Sequence, residues 1–102
     1  MFGKWKKDIP SGYALATKML VERKLPVCYM YREEPDNSTD TGWRFFTGTE
    51  TDEYVNIPEN IGLYDIKTIV KIDPDIVPFL SRSFDCAFER SGKNELFTEV
   101  KD

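Results

Sequence analysis

The chain has 102 residues, a formal charge of −4 and no histidine. That length suits one domain around one modest core. An acidic balance argues against nonspecific nucleic-acid binding, and the missing histidine removes the commonest general base, metal ligand and triad member.

Residues 1–10, MFGKWKKDIP, read as a lead-in, with residues 11–102 as the single domain. The lead-in has no apolar run of the signal-peptide kind, and no stretch of the chain approaches the ~20 apolar residues of a membrane span. A cytoplasmic protein is therefore expected. Lys4, Lys6 and Lys7 around Trp5 read either as a membrane- or partner-contacting patch or, the favoured reading, as a solvated terminus with one docked indole. Residues 11–16 form a short strand, and Thr17 then offers a cap for a helix reaching Lys24, with Met19, Leu20 and Val21 toward the core. Leu25-Pro26 stops it, since a residue before proline is pushed out of the helical region.

Residues 27–50 organise the rest. Val27, Tyr29 and Tyr31 alternate with Cys28, Met30 and Arg32, and Trp43 and Phe45 alternate with Arg44 and Phe46, the β-branched and aromatic pattern of two strands. Trp43, Phe45 and Phe46 are expected in the core. Between the strands lies a polar loop longer than the two to five residues usual in a hairpin, which points to a functional or a mobile segment. Gly42 supplies a positive φ where that loop re-enters the sheet.

Beyond Gly48, Thr49-Glu50-Thr51-Asp52 has the form of a capping box before a short helix to Asn56. Residues 61–64 are extended, and Asp65 caps a helix whose Ile66, Ile69 and Val70 share one face. Asp73-Pro74 starts another, kept short or 3₁₀ by Pro78. Phe84, Cys86 and Phe88 alternate with Asp85, Ala87 and Glu89 in a further strand, and residues 95–100 return after a turn. Together these elements predict an α+β fold, a mostly antiparallel sheet with short helices packed on one face.

Little in the sequence carries catalytic chemistry. Cys28 and Cys86 lack the CxxC spacing of zinc or redox sites and are expected as free thiols in a reducing compartment. The oxygen-rich run Asp36-Asn37-Ser38-Thr39-Asp40 lacks the glycine and terminal glutamate of a calcium loop. There is no phosphate-binding glycine loop or nucleophile elbow, and nothing in the spacing of the carboxylates implies the cleft that an acid/base pair requires. Neither an enzyme nor a cofactor is expected.

What stands out is charge of one sign. Glu33, Glu34, Asp36, Asp40, Glu50, Asp52, Glu53, Glu59 and Asp65 are opposed between residues 33 and 65 only by Arg44. Such a field steers a basic partner, and Glu33, Glu34, Asp36, Asp40, Glu50, Asp52 and Glu53 are the candidate contact residues. Trp43 is also a candidate aromatic anchor, as are Tyr31, Tyr54 and Tyr64, since tryptophan, tyrosine and arginine dominate interface hot spots. The competing reading takes Arg32, Arg44 and Arg90 either as structural ion-pair partners or as the lining of a small-anion pocket.

A family resemblance joins these segments. Tyr31-Arg32-Glu33-Glu34-Pro35, the run from Asp40-Thr41-Gly42-Trp43-Arg44-Phe45-Phe46 through Glu50, Asn60-Ile61-Gly62-Leu63-Tyr64, Asp73-Pro74-Asp75-Ile76 and Ala87-Phe88-Glu89-Arg90 resemble immunity protein family thirty-three of bacterial polymorphic toxin systems. Thr41 stands where serine is usual and Cys86 where a smaller residue is. The resemblance implies a protein that binds and neutralises a toxin, and it brings no catalytic residues. A basic toxin would suit the acidic middle of the chain.

Overall fold

The computed structural model describes residues 9–101, so the lysine cluster around Trp5 lies outside the described residues. In chain order the elements are β1 (Tyr13–Thr17), α1 (Lys18–Arg23), β2 (Tyr29–Arg32), β3 (Asp40–Phe46), α2 (Asp52–Val55), a 3₁₀ turn (Pro58–Asn60), β4 (Ile61–Asp65), α3 (Ile66–Ile72), a second 3₁₀ segment (Pro74–Phe79), β5 (Cys86–Glu89) and β6 (Thr98–Glu99). The six strands form one sheet in the order β4-β1-β3-β2-β5-β6. Only β1 and β3 run parallel, and every other neighbouring pair is antiparallel. The domain is compact and α+β, as the order of elements implied.

Strand alternation decides which side is covered. Ala14, Ala16, Met30, Trp43, Phe45 and Phe88 are buried on one face, where they meet Leu20 of α1, Ile66 and Ile69 of α3, and Ile76 and Leu80 around the second 3₁₀ segment. The three-residue spacing of Ile66 and Ile69 puts both on the sheet-facing stripe of α3. Asp65 and Asp73 cap as expected, accepting from the Lys67 N–H at 2.9 Å and the Asp75 N–H at 3.1 Å. Lys24 closes α1 in the left-handed region at φ 54°, before Leu25-Pro26 is reached.

Three local expectations are corrected. Thr17 occupies the N-cap position of α1, but its hydroxyl donates to Glu50 at 2.7 Å and makes no cap. The cap of α2 is Thr51, whose hydroxyl oxygen accepts the Tyr54 N–H at 3.1 Å, so the expected four-residue box is not formed. Phe84 lies outside β5 and is 44% exposed. Asp85 adopts φ 65°, which breaks the alternation before Cys86 and turns Phe84 away from the core.

A buried ion pair locks the two ends of this architecture. Asp73, fully buried, accepts from the Val27 N–H at 2.9 Å, Arg90 Nη2 at 2.6 Å and Lys93 Nζ at 3.0 Å. Arg90 Nε donates to the Val27 carbonyl at 2.9 Å, and its guanidinium lies over the Phe97 ring. The segment after α3 is thereby tied to the start of β2 and the end of β5. Both cysteines are free. Their strands are neighbours, yet Cys86 pairs with Arg32 while Cys28 lies at the Arg90 end of the ladder. Four residues of strand, about 13 Å, exceed the reach of a disulfide.

Candidate interaction face

The opposite side of the sheet is built from the alternate residues of the same strands: Tyr13 and Leu15, Tyr29 and Tyr31, Arg44 and Phe46, Ala87 and Glu89, Ile61 and Leu63. Apart from Arg44 these are half-buried or exposed, and Leu63 is 65% exposed. Tyr29, Tyr31 and Phe46 form a slab, with ring centroids 5.7 Å apart for Tyr29–Phe46, 5.8 Å for Tyr31–Phe46 and 6.0 Å for Tyr29–Tyr31. Val55 of α2 comes to its margin. A hollow of about 320 Å³ opens there, lined by Leu15, Tyr31, Glu33, Arg44, Phe46 and Val55 among others.

Arg44 is the buried centre of this face. Its Nη1 and Nη2 donate to the two oxygens of Asp40, both at 2.9 Å, and its Nε donates to Glu33 at 2.7 Å. Asp40 also accepts from the N–H groups of Asp36 at 3.0 Å and Gly42 at 2.9 Å. The Arg44 fork, with those two N–H groups, holds the Asp40 carboxyl well below the usual carboxylate range despite burial. In return, Asp40 and then Glu33 push Arg44 upward.

The consequence is an ordered loop. Asn37 Oδ1 accepts from both the N–H and the hydroxyl of Thr39, and Asp40 reaches back to Asp36. Gly42 has φ 86°, as its position before Trp43 implied, and a Cβ there would come within 2.2 Å of the Glu33 carbonyl oxygen. With Asp40 consumed inside, the carboxylates left on the outside are Glu34 and Asp36, while Glu33 keeps about half of its side chain exposed (49%).

A second acidic group stands at the far end of β3, about 20 Å away for a strand of this length. Glu50 folds back and accepts the Thr17 hydroxyl at 2.7 Å, the Thr47 N–H at 2.8 Å and the Gly48 N–H at 3.0 Å. Burial opposes its ionisation, but these donors together hold it below the ordinary glutamate range. Asp52 and Glu53 follow on the first turn of α2, both exposed. Glu50, Asp52 and Glu89 line a hollow that opens against Tyr29 and Phe46. Thus Glu33, Glu50 and Asp52 border the aromatic slab, Glu34, Asp36 and Glu53 stand on the adjoining segments, and Asp40 lies beneath.

This geometry accompanies a family match. The model of the Immunity protein Imm33 domain matches residues 14–101. The chain belongs to that family. No curated protein and no solved structure matches it.

In this Imm33 domain the three arginines do not converge. Arg44 lies on the open face, whereas Arg32 and Arg90 sit at separate ends of the sheet. Arg32 Nε donates to the Thr41 carbonyl at 2.9 Å, Nη1 donates to the Arg82 carbonyl, and the guanidinium lies over Trp43 and Phe84. The anion pocket considered from sequence is therefore not assembled, and the ion-pair reading holds for Arg44 and Arg90. Trp43 is fully buried with Nε1 donating to the Leu80 carbonyl at 3.2 Å, so it is core and not an anchor. Tyr54 accepts the Met19 N–H at 3.1 Å, which uses its hydroxyl internally. Tyr31 alone of the tyrosine candidates belongs to the open slab. Phe46, expected in the core with Trp43 and Phe45, is instead half-buried on the open face beside Tyr29 and Tyr31, and Tyr29, Leu15 and Glu89 were not singled out. Their signal was the register: once Trp43 and Phe45 point inward, Phe46 and its cross-strand neighbour Tyr29 must point outward. Among the described residues there is no cluster of three or more side chains that could hold a metal ion, and no helix is long and apolar enough to cross a membrane.

Proposed function

We propose that this Imm33 domain is a non-catalytic immunity protein of the bacterial cytoplasm that neutralises a protein toxin by stoichiometric contact through its acidic loop surface. Family membership supports the class of partner. The observation that carries the surface is the Asp40–Arg44–Glu33 pin: a long loop is held in one conformation from below while Glu34 and Asp36 face outward. A pre-ordered loop loses little conformational entropy on binding, and a one-sign rim accelerates encounter with a partner of opposite charge. Asp52 and Glu53 extend the same field at the far end of β3, and a basic toxin fits it best.

The test is neutralisation in cells. Expression of the toxin domain encoded beside the gene should arrest growth, and co-expression of this protein should restore it, with the two proteins purifying together. Continued arrest despite soluble expression of both, with no complex between them, would overturn the reading.

A further inference from the structure

The rim explains steering but leaves the slab inside it unexplained. Tyr29, Tyr31 and Phe46 present half-buried rings on a sheet face that α1, α3 and the second 3₁₀ segment leave bare, because all three pack on the other side. An amphipathic sheet normally covers such a face, and a contiguous exposed aromatic patch with a polar border marks a contact site.

The charges around the slab say what fits. Glu33, Glu50, Asp52 and Glu89 line the hollows that open on its rings. The cations bordering the same hollows are already engaged: Arg44 by Asp40 and Glu33, and Arg90 by Asp73 and Asp75. Negative charge is left over, directly beside π faces. A guanidinium suits both at once, since it stacks flat on an aromatic ring, is more weakly hydrated than an ammonium and pairs with carboxylates in a fork. An apolar occupant would desolvate the carboxylates without compensation.

We propose that the face formed by Leu15, Tyr29, Tyr31 and Phe46 is the central contact surface for a toxin segment presenting arginine side chains, stacked on the tyrosines and paired with Asp52, Glu89 and the half-exposed Glu33, whose Oε2 alone is held by Arg44. This rests on the toxin-binding reading and adds to it the surface that retains the partner and the chemistry it selects.

Capped tetra-arginine and tetralysine peptides, titrated at low salt into the isotope-labelled full chain, test it by resonance mapping. Tetra-arginine is expected to shift Tyr29, Tyr31, Phe46 and Ala87 saturably and to bind more tightly than tetralysine. Tyr31→Leu should weaken it by roughly two- to fivefold, the worth of one exposed cation–π contact. Should that variant not fold, the map on the wild-type chain still decides. Shifts confined to Glu34 and Asp36, or equal affinity for both peptides, would reduce the recognition to charge alone. No binding by either peptide would also overturn the inference. So would a concentration-dependent dimer, seen by sedimentation, that buries Tyr29 and Tyr31. None of these results touches neutralisation by the acidic loop, which the growth assay reads separately.

Discussion

The two faces of the sheet use the same strands, often adjacent residues, and end in opposite conditions. Trp43 and Phe45 are sealed under α1 and α3, while Arg44 and Phe46 between and beside them belong to a side with no helical cover except the margin of α2. The covered face is held by shape and apolar area. The open face is held by an ion-pair network at its centre, leaving its rings and rim available. Substitutions on the covered face should therefore cost folding, and those on the open face should cost binding.

The largest expected effect lies on the covered face. Trp43→Ala removes a fully buried indole and orphans the Leu80 carbonyl, and should cost on the order of 3 to 5 kcal/mol. Tyr31→Ala on the open face should cost less than about 1.5 kcal/mol, because that ring is already half in water. Urea unfolding of both variants measures the contrast. Equal losses would mean that the open face is core by another name.

Next comes the pin beneath the open face. Arg44→Met leaves Asp40 buried without its counter-charge and should cost about 3 kcal/mol. Asp40→Asn combined with Arg44→Met should recover part of that loss, since no uncompensated buried charge remains and Glu33 is half exposed to water. Additive losses in the double variant would show that loop geometry, not burial of charge, sets the cost.

Acid sharpens the same point. Asp40 titrates lower in the folded chain than in the unfolded one, so its contribution is complete above about pH 5 and fades as pH falls below about 4. Glu50 acts in the same direction. Unfolding midpoints measured from pH 6 down to pH 2 should therefore fall, and Asp40→Asn, though less stable at pH 6, should fall less steeply. A parallel pair of curves would contradict the assigned pairing.

The covered face was the more legible in sequence, and the reason is physical. The alternation of Trp43 and Phe45 about Arg44 and the three-residue spacing of Ile66 and Ile69 are local patterns that burial reads directly. Asp65 and Asp73-Pro74 announce helix starts within a few residues of themselves. The open face depends on register and on long-range partners. Glu50 bonding Thr17 across 33 residues leaves no local trace. Asp40 looked like its exposed neighbours because spacing does not reveal which carboxylate turns inward to Arg44. Likewise Asp85, with its positive φ, ended a strand that alternation alone had extended to Phe84.

The smallest effect on folding should be the most informative about function. Glu34→Lys with Asp36→Lys changes two exposed side chains that make no ion pair among the described residues, so stability should stay within about 0.5 kcal/mol of the parent. Rim charges act on encounter over a Debye length of ~8 Å at physiological salt. The reversed protein should therefore associate with its toxin more slowly at low salt and lose most of the salt dependence, with little change in dissociation. Tyr31→Leu should do the reverse, sparing association and speeding dissociation, because contacts formed after docking set the lifetime of a complex. Surface-plasmon kinetics at two salt concentrations separate the two variants. If charge reversal leaves association and its salt response untouched, the acidic loop is mere solvation, and the aromatic face would have to recruit its partner unaided.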